Sequence, residues 1–159
     1  MGAEPSSPVP SVSPSDAEAR TGIKFRQPKT AAITGNMKAV YQDTSASGNP
    51  EICIHFDNGI LVGEENWKEQ PDFAHEIAMD NDPAHHEPPA TPGTNWILVK
   101  VAGFQGKQLP QPAIMGADGK LSELPPMLEW WDSGVKYMIT TWKTGVSGQQ
   151  LLDIANSMY

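Results

Sequence analysis

Met127-Leu128-Glu129-Trp130-Trp131-Asp132-Ser133-Gly134-Val135-Lys136-Tyr137-Met138-Ile139-Thr140-Thr141-Trp142 is the stretch whose reading decides the fold. Its two halves are rich in β-branched and aromatic residues, and Asp132-Ser133-Gly134 between them supplies a tight turn, so the run predicts a hairpin. Thr144-Gly145-Val146 then leads into Ser147-Gly148-Gln149-Gln150. That tetrad is a capping box, in which the Ser147 hydroxyl accepts from the amide three residues on and the Gln150 side chain reaches back. Leu151, Ile154, Ala155 and Met158 follow at helical spacing and make one apolar stripe. A hairpin feeding a terminal amphipathic helix is a scaffold; it carries no chemistry by itself.

Upstream of the hairpin the period of two recurs. Trp96 to Val101 reads as a strand, turned by Gly103-Phe104-Gln105-Gly106. Residues 107–115, broken by Pro110 and Pro112, are expected to be an edge strand or a loop, and Gly116-Ala117-Asp118-Gly119 a further turn. Met37, Ala39 and Tyr41 alternate with Lys38, Val40 and Gln42, and Ile52, Ile54 and Phe56 with Cys53 and His55. Asn58-Gly59 before Ile60-Leu61-Val62 is a strong hairpin signal. Near the start, Ser13 as N-cap, Pro14 at the first helical position and Gly22 as a stop predict a helix of about two turns. The period of two is expected from Ile23 onward and is lost over residues 64–95.

These elements define an α+β fold: an antiparallel sheet of about six or seven strands, a short N-terminal helix, and a C-terminal amphipathic helix packed on one face. With 159 residues, one domain at 15–159 is expected, with an acidic loop at about 64–95. Residues 1–14 have the Ser/Pro-rich composition of a disordered linker. The 29 glycines and prolines favour a loop-rich, mainly β domain over a helical bundle. A net charge of −8 argues against a nucleic-acid surface, which needs a basic patch. Cys53 is alone, so no intrachain disulfide forms. No stretch approaches the roughly 20 apolar residues of a membrane span.

Leu128-Glu129-Trp130, Gly134-Val135-Lys136-Tyr137 and Leu151-Leu152-Asp153-Ile154-Ala155-Asn156-Ser157-Met158 together resemble the closing signature of a bacterial domain family of unknown function. That family occurs in the extracytoplasmic parts of anti-sigma-factor-like membrane proteins and in lipoproteins. Val99-Lys100-Val101-Ala102-Gly103-Phe104-Gln105-Gly106 is similar to its central strand and turn, Asn58-Gly59-Ile60 to an earlier hairpin, and Ala17 to Pro28 to its opening helix and first strand. The resemblance implies placement outside the cytoplasm behind a membrane or lipid anchor, and it transfers no catalytic residue. It implies a non-enzymatic sensing or interaction domain. Residues 64–95 depart from the family's pattern, being longer and more acidic.

Two groups of residues are candidates for binding. Residues 64–87 hold eight acids against Lys68, with three of the four histidines. His75, Glu76, Asp80, Asp82, His85 and His86 have the donor types for a divalent metal, the one cofactor the sequence suggests. A solvated acidic loop explains the same residues, since Asp80-Asn81-Asp82 lacks the rest of a calcium loop and His75-Glu76 lacks a second histidine four residues on. Trp130, Trp131, Trp142 and Tyr137 are the candidates for a ligand or partner surface, either for a protein or for a small apolar ligand. Adjacent Trp130 and Trp131 must point to opposite sheet faces, so the helix leaves one of them uncovered. Cys53 and His55 share a face, but no nucleophile turn frames them. A lipid-handling, lipoprotein-carrier-like protein, with an apolar pocket between sheet and C-terminal helix, is the alternative to an interaction module.

Overall fold

The computed structural model describes residues 11–82, 95–110, 113–115, 118–123, 125–142 and 145–159. In chain order the elements are α1 (Pro14–Thr21), α2 (Ala31–Thr34), β1 (Met37–Thr44), β2 (Pro50–Phe56), β3 (Ile60–Asn66), α3 (Phe73–Asp80), β4 (Ile97–Val101), β5 (Phe104–Leu109), β6 (Ala113–Met115), β7 (Leu121–Glu123), β8 (Met127–Asp132), β9 (Val135–Thr141) and α4 (Gly148–Ser157). Seven strands form one sheet in the order β1-β2-β3-β9-β8-β5-β4, every neighbour antiparallel, and β6 pairs with β7 apart from it. The last hairpin, β8–β9, is inserted at the sheet's centre between β3 and β5. The sequence at 127–142 decides the fold because it joins the two outer halves.

Each end of this cassette forms as its residues require. Ser133 and Gly134 take positive φ values of 50° and 88°, making the two-residue turn whose twist suits a hairpin. Ser147 accepts from the Gln150 amide at 3.1 Å and donates its own amide to Gln150 Oε1 at 2.9 Å, closing the capping box. Leu151, Ile154, Ala155 and Met158 are buried against the face that carries Ile54, Val62, Leu128, Trp130 and Ile139. α1 lies on the same face over β1 and β2, with Ala17 in the same core, capped by Ser13 and ended by Gly22. Val12 already belongs to this packing, since its amide donates to the Val40 carbonyl at 2.8 Å along the outer edge of β1.

Four expectations require correction. β5 is an interior strand between β8 and β4, not an edge strand or loop, and its turn is Ala102-Gly103 alone. Pro110 falls just beyond the last paired residue, Leu109, so it removes no ladder bond. Gly106 belongs to the strand because β8 approaches too closely for a side chain. A Cβ there would collide with the Glu129 carbonyl oxygen and stand 2.9 Å from the Trp130 Cβ. Residues 64–66 complete β3, and α3 occupies the middle of the supposed acidic loop, capped by the Asp72 carboxylate on the His75 amide. Residues 23–28 are not a strand: Gly22 to Lys29 run as an irregular strap across one end of the sheet. Among the described residues, no helix is long and apolar enough to cross a membrane.

Candidate functional site

The strap has no helix or ladder to satisfy its backbone, so side chains do this work. The Ile23 amide donates to Thr21 Oγ1 at 3.2 Å, and the Phe25 amide to Glu18 Oε1 at 3.0 Å, both acceptors coming from α1. The Arg26 amide donates to Glu64 Oε1 at 3.0 Å, and the Lys29 amide to Ser157 Oγ at 2.9 Å, acceptors from β3 and α4. Asn66, at the end of β3, donates to the Thr21 carbonyl at 2.7 Å just before the strap begins. Ile23 is buried, Phe25 packs against the core, and Lys24, Gln27 and Lys29 are exposed. The strap is thus a fixed ridge with an apolar underside and a basic rim.

Between this ridge, the Asp132–Val135 turn and the end of α4 lies a cleft of about 800 Å³. Lys24, Arg26 and Lys29 line it with Asp132 as the single carboxylate. The Arg26 guanidinium stands 3.4 Å from Asp132 Oδ2, donates to the Met158 carbonyl at 3.4 Å, and lies 4.3 Å from the centre of the Tyr159 ring. Lys29 Nζ reaches the Tyr159 backbone oxygen, also at 3.4 Å. These contacts sit at the long limit for a hydrogen bond, well beyond the roughly 2.7–2.9 Å of a closed charged pair.

Beneath the cleft is Glu64, which is 0 % exposed. It continues the face of Ile60 and Val62 and stands directly opposite Tyr137 on β9. Its Oε2 is buried without a hydrogen-bond partner. Burial pushes this carboxyl up to about 8, against the opposing pull of the Arg26 amide and guanidinium. Burial also raises the Tyr137 hydroxyl, and the Glu64 charge adds to it. Neighbouring Glu65 faces the other side and is well provided for, accepting from Ser45 Oγ at 2.7 Å and Asn49 Nδ2 at 3.3 Å.

Among the described residues, those singled out for metal binding do not assemble into a metal site. Glu76 and Asp80, one turn apart on α3, converge on Lys107 Nζ at 3.1 and 2.8 Å, with Glu129 at 3.9 Å and the Trp96 ring centre at 4.6 Å. The cation these acids hold is an ammonium group. His75 and Asp82 are exposed, while His85 and His86 lie outside the described residues. Among the described residues, no group of three His, Cys, Asp or Glu is placed to hold a metal ion.

The aromatic candidates are corrected in the same way, because three of the four are core. Trp130 is 0 % exposed, stacked on Tyr137 at 5.0 Å, with its indole N–H on the Tyr159 hydroxyl at 2.8 Å. Tyr137 and Trp142 are buried as well, and Trp142 lies against His55 on the opposite face. The helix-covered member of the pair is Trp130. Trp131, half-buried, donates its indole N–H to the Trp67 carbonyl at 2.8 Å and so anchors the chain leaving β3. Cys53 is no activated nucleophile: burial, with Glu51 and Asp43 nearby, pushes its thiol up to about 11.

Lys24, Arg26, Lys29 and Glu64 were not among the sequence candidates, though signals for them exist. Four of the 11 lysines and arginines fall within residues 20–29 of an acidic chain, and Glu64 keeps the period of Ile60 and Val62. Comparison with protein-family models, with curated proteins and with solved structures gives no match. The fold and site define the chain as an α+β domain with a preformed polar cleft at one end of its central hairpin.

Proposed function

We propose that this chain is a non-enzymatic sensing or interaction domain whose recognition site is the cleft under the 22–29 strap. The observation that carries the reading is the strap itself. An irregular segment is fixed by acceptors from α1, β3 and α4, one of them a buried carboxyl that the fold holds at a cost in stability. Rigid, over-determined loops lower the ordering cost of binding, and costly polar groups concentrate where function requires them.

A binding role fits the chemistry better than catalysis. A general acid or base must come within hydrogen-bond reach of a substrate proton. Glu64 does not line the cleft, and its unpartnered oxygen is sealed from it. The layer between the sheet and α4 is filled by fully buried side chains such as Ile54, Leu128, Ile139, Leu151 and Ile154, which favours an interaction module over a lipid carrier. Placement in the cell envelope, on a membrane-anchored protein or lipoprotein, is supported by the family resemblance and the Ser/Pro-rich stretch before α1.

The test is an amide NMR titration of the ¹⁵N-labelled chain with a panel of neutral sugars, amines, carboxylates and phosphates. At least one class is expected to produce saturable shifts confined to residues 22–29 and 132–135. Shifts nowhere in the cleft, with any probe, would refute the proposal.

A further inference from the structure

Building on the reading of the cleft as a recognition site, we infer that its ligand is a small oxyanion, bearing a carboxylate or phosphate group, held by Arg26 with Lys24 and Lys29. The first support is charge distribution. The chain carries −8 overall, yet the cleft lining sets three cations against one carboxylate. A local reversal of sign in an acidic protein concentrates the field on the cleft and steers anions to it.

The second support is the difference between two cationic side chains of the same molecule. Lys107 is closed into its site, with a 2.8 Å contact to Asp80 and a side chain 9 % exposed. Arg26 keeps a side chain 38 % exposed, and its contacts to Asp132 and the Met158 carbonyl are each 3.4 Å long, with the Tyr137 hydroxyl as a third polar neighbour. A structural cation is desolvated and saturated, as Lys107 is; Arg26 retains donors and solvent access on the cleft side. Its guanidinium offers a planar fork that matches a carboxylate or phosphate edge, while Lys24 and Lys29 add point charges at the rim. The amide of Arg26 is bound to Glu64, which fixes the root of the side chain while its tip remains able to turn from Asp132 to a ligand.

Inorganic phosphate and citrate serve as probes, titrated at low and at high salt and followed by amide NMR. Both carry the shared chemistry, and the stronger of the two identifies the source as phosphoryl or carboxylate. Saturable shifts at 23–29 and 133–135 are expected at low salt, weakening as salt screens the charges. The double variant Lys24→Gln/Lys29→Gln, which alters exposed side chains only, is expected to weaken binding roughly tenfold. Arg26→Lys tests the fork and is expected to weaken it further while keeping the charge near Asp132. No saturable binding of either anion at millimolar concentration, or affinity unchanged in both variants, overturns the inference. If neutral or amine probes from the wider panel shift the cleft and the anions do not, the recognition site stands and only its ligand class is wrong.

Discussion

Replacing Glu64 with Gln should remove a pH-dependent instability built into the centre of the sheet. The carboxyl is fully buried, accepts from the Arg26 amide through one oxygen, and leaves the other without a partner. Its folded value of about 8 lies above the ordinary 4.5 because burial penalises the charge. A carboxyl raised on folding binds its proton more tightly in the native state, so its contribution is fully present below about pH 4.5. That contribution is lost as pH rises from there through about 8. Linkage makes the loss about 3–4 kcal/mol between about pH 5 and pH 9. Glu64→Gln keeps an acceptor for the Arg26 amide but does not titrate, and its unpaired amide costs about 1–2 kcal/mol at every pH. The variant should therefore be slightly less stable than the parent near pH 5 and more stable by about 2 kcal/mol near pH 9. Urea unfolding followed by tryptophan fluorescence across that range measures both curves. Other raised carboxyls, Glu51 and Glu129, are common to both proteins and subtract out. Parallel pH profiles would refute the reasoning.

Two further substitutions test the packing of β5. Lys107→Met strips the ammonium from Glu76, Asp80 and Glu129 and should destabilise by about 2–4 kcal/mol in denaturant unfolding. This is below the full cost of breaking a buried pair, because Glu76 and Asp80 are 38 % and 33 % exposed. The deficit should shrink at high salt, which screens these part-exposed charges, and a deficit independent of salt would contradict the ion-pair account. Burial lowers the Lys107 ammonium, but Asp80, Glu129 and Glu76 more than offset this and hold it above its ordinary value, so the pair persists far into the alkaline range. Gly106→Ala drives a methyl into the backbone of β8 and should cost about 2–4 kcal/mol or more; a thermal shift under a few degrees would mean the strands separate more easily than their packing indicates.

The parts of the fold legible in the sequence are those where side-chain period and local capping agree. In β8, β9 and α4 the alternation, the Ser133-Gly134 turn and the Ser147–Gln150 box all specify one arrangement, and each forms. β5 was obscured because Gly103 and Gly106 look alike in sequence. One supplies a positive φ at the turn, and the other is a strand residue whose side chain the neighbouring strand excludes. α3 was obscured because only Phe73 among its residues is fully buried, and its acids resemble solvent-facing charge until Lys107 arrives from β5. The strap deceived for a different reason. Ile23 and Phe25 alternate with Lys24 and Arg26 as a strand would, but a period of two reports where side chains point, not what the backbone bonds to.

That last distinction also bears on where function lies. The acidic segment at 64–87 and the tryptophans drew attention by composition, yet the fold consumes most of them. Glu76 and Asp80 are paired with Lys107, Trp130 and Tyr137 stack in the core, and Trp131 holds Trp67 in place. A residue whose bonding capacity is filled internally has little left for a ligand, whatever its chemical type. Arg26 and its flanking lysines are the reverse case: unremarked by composition, they retain long contacts, solvent access and a rigid base. The place to seek a ligand is thus set by unfilled donor capacity on a fixed backbone, and in this chain that criterion selects the strap rather than the acidic segment.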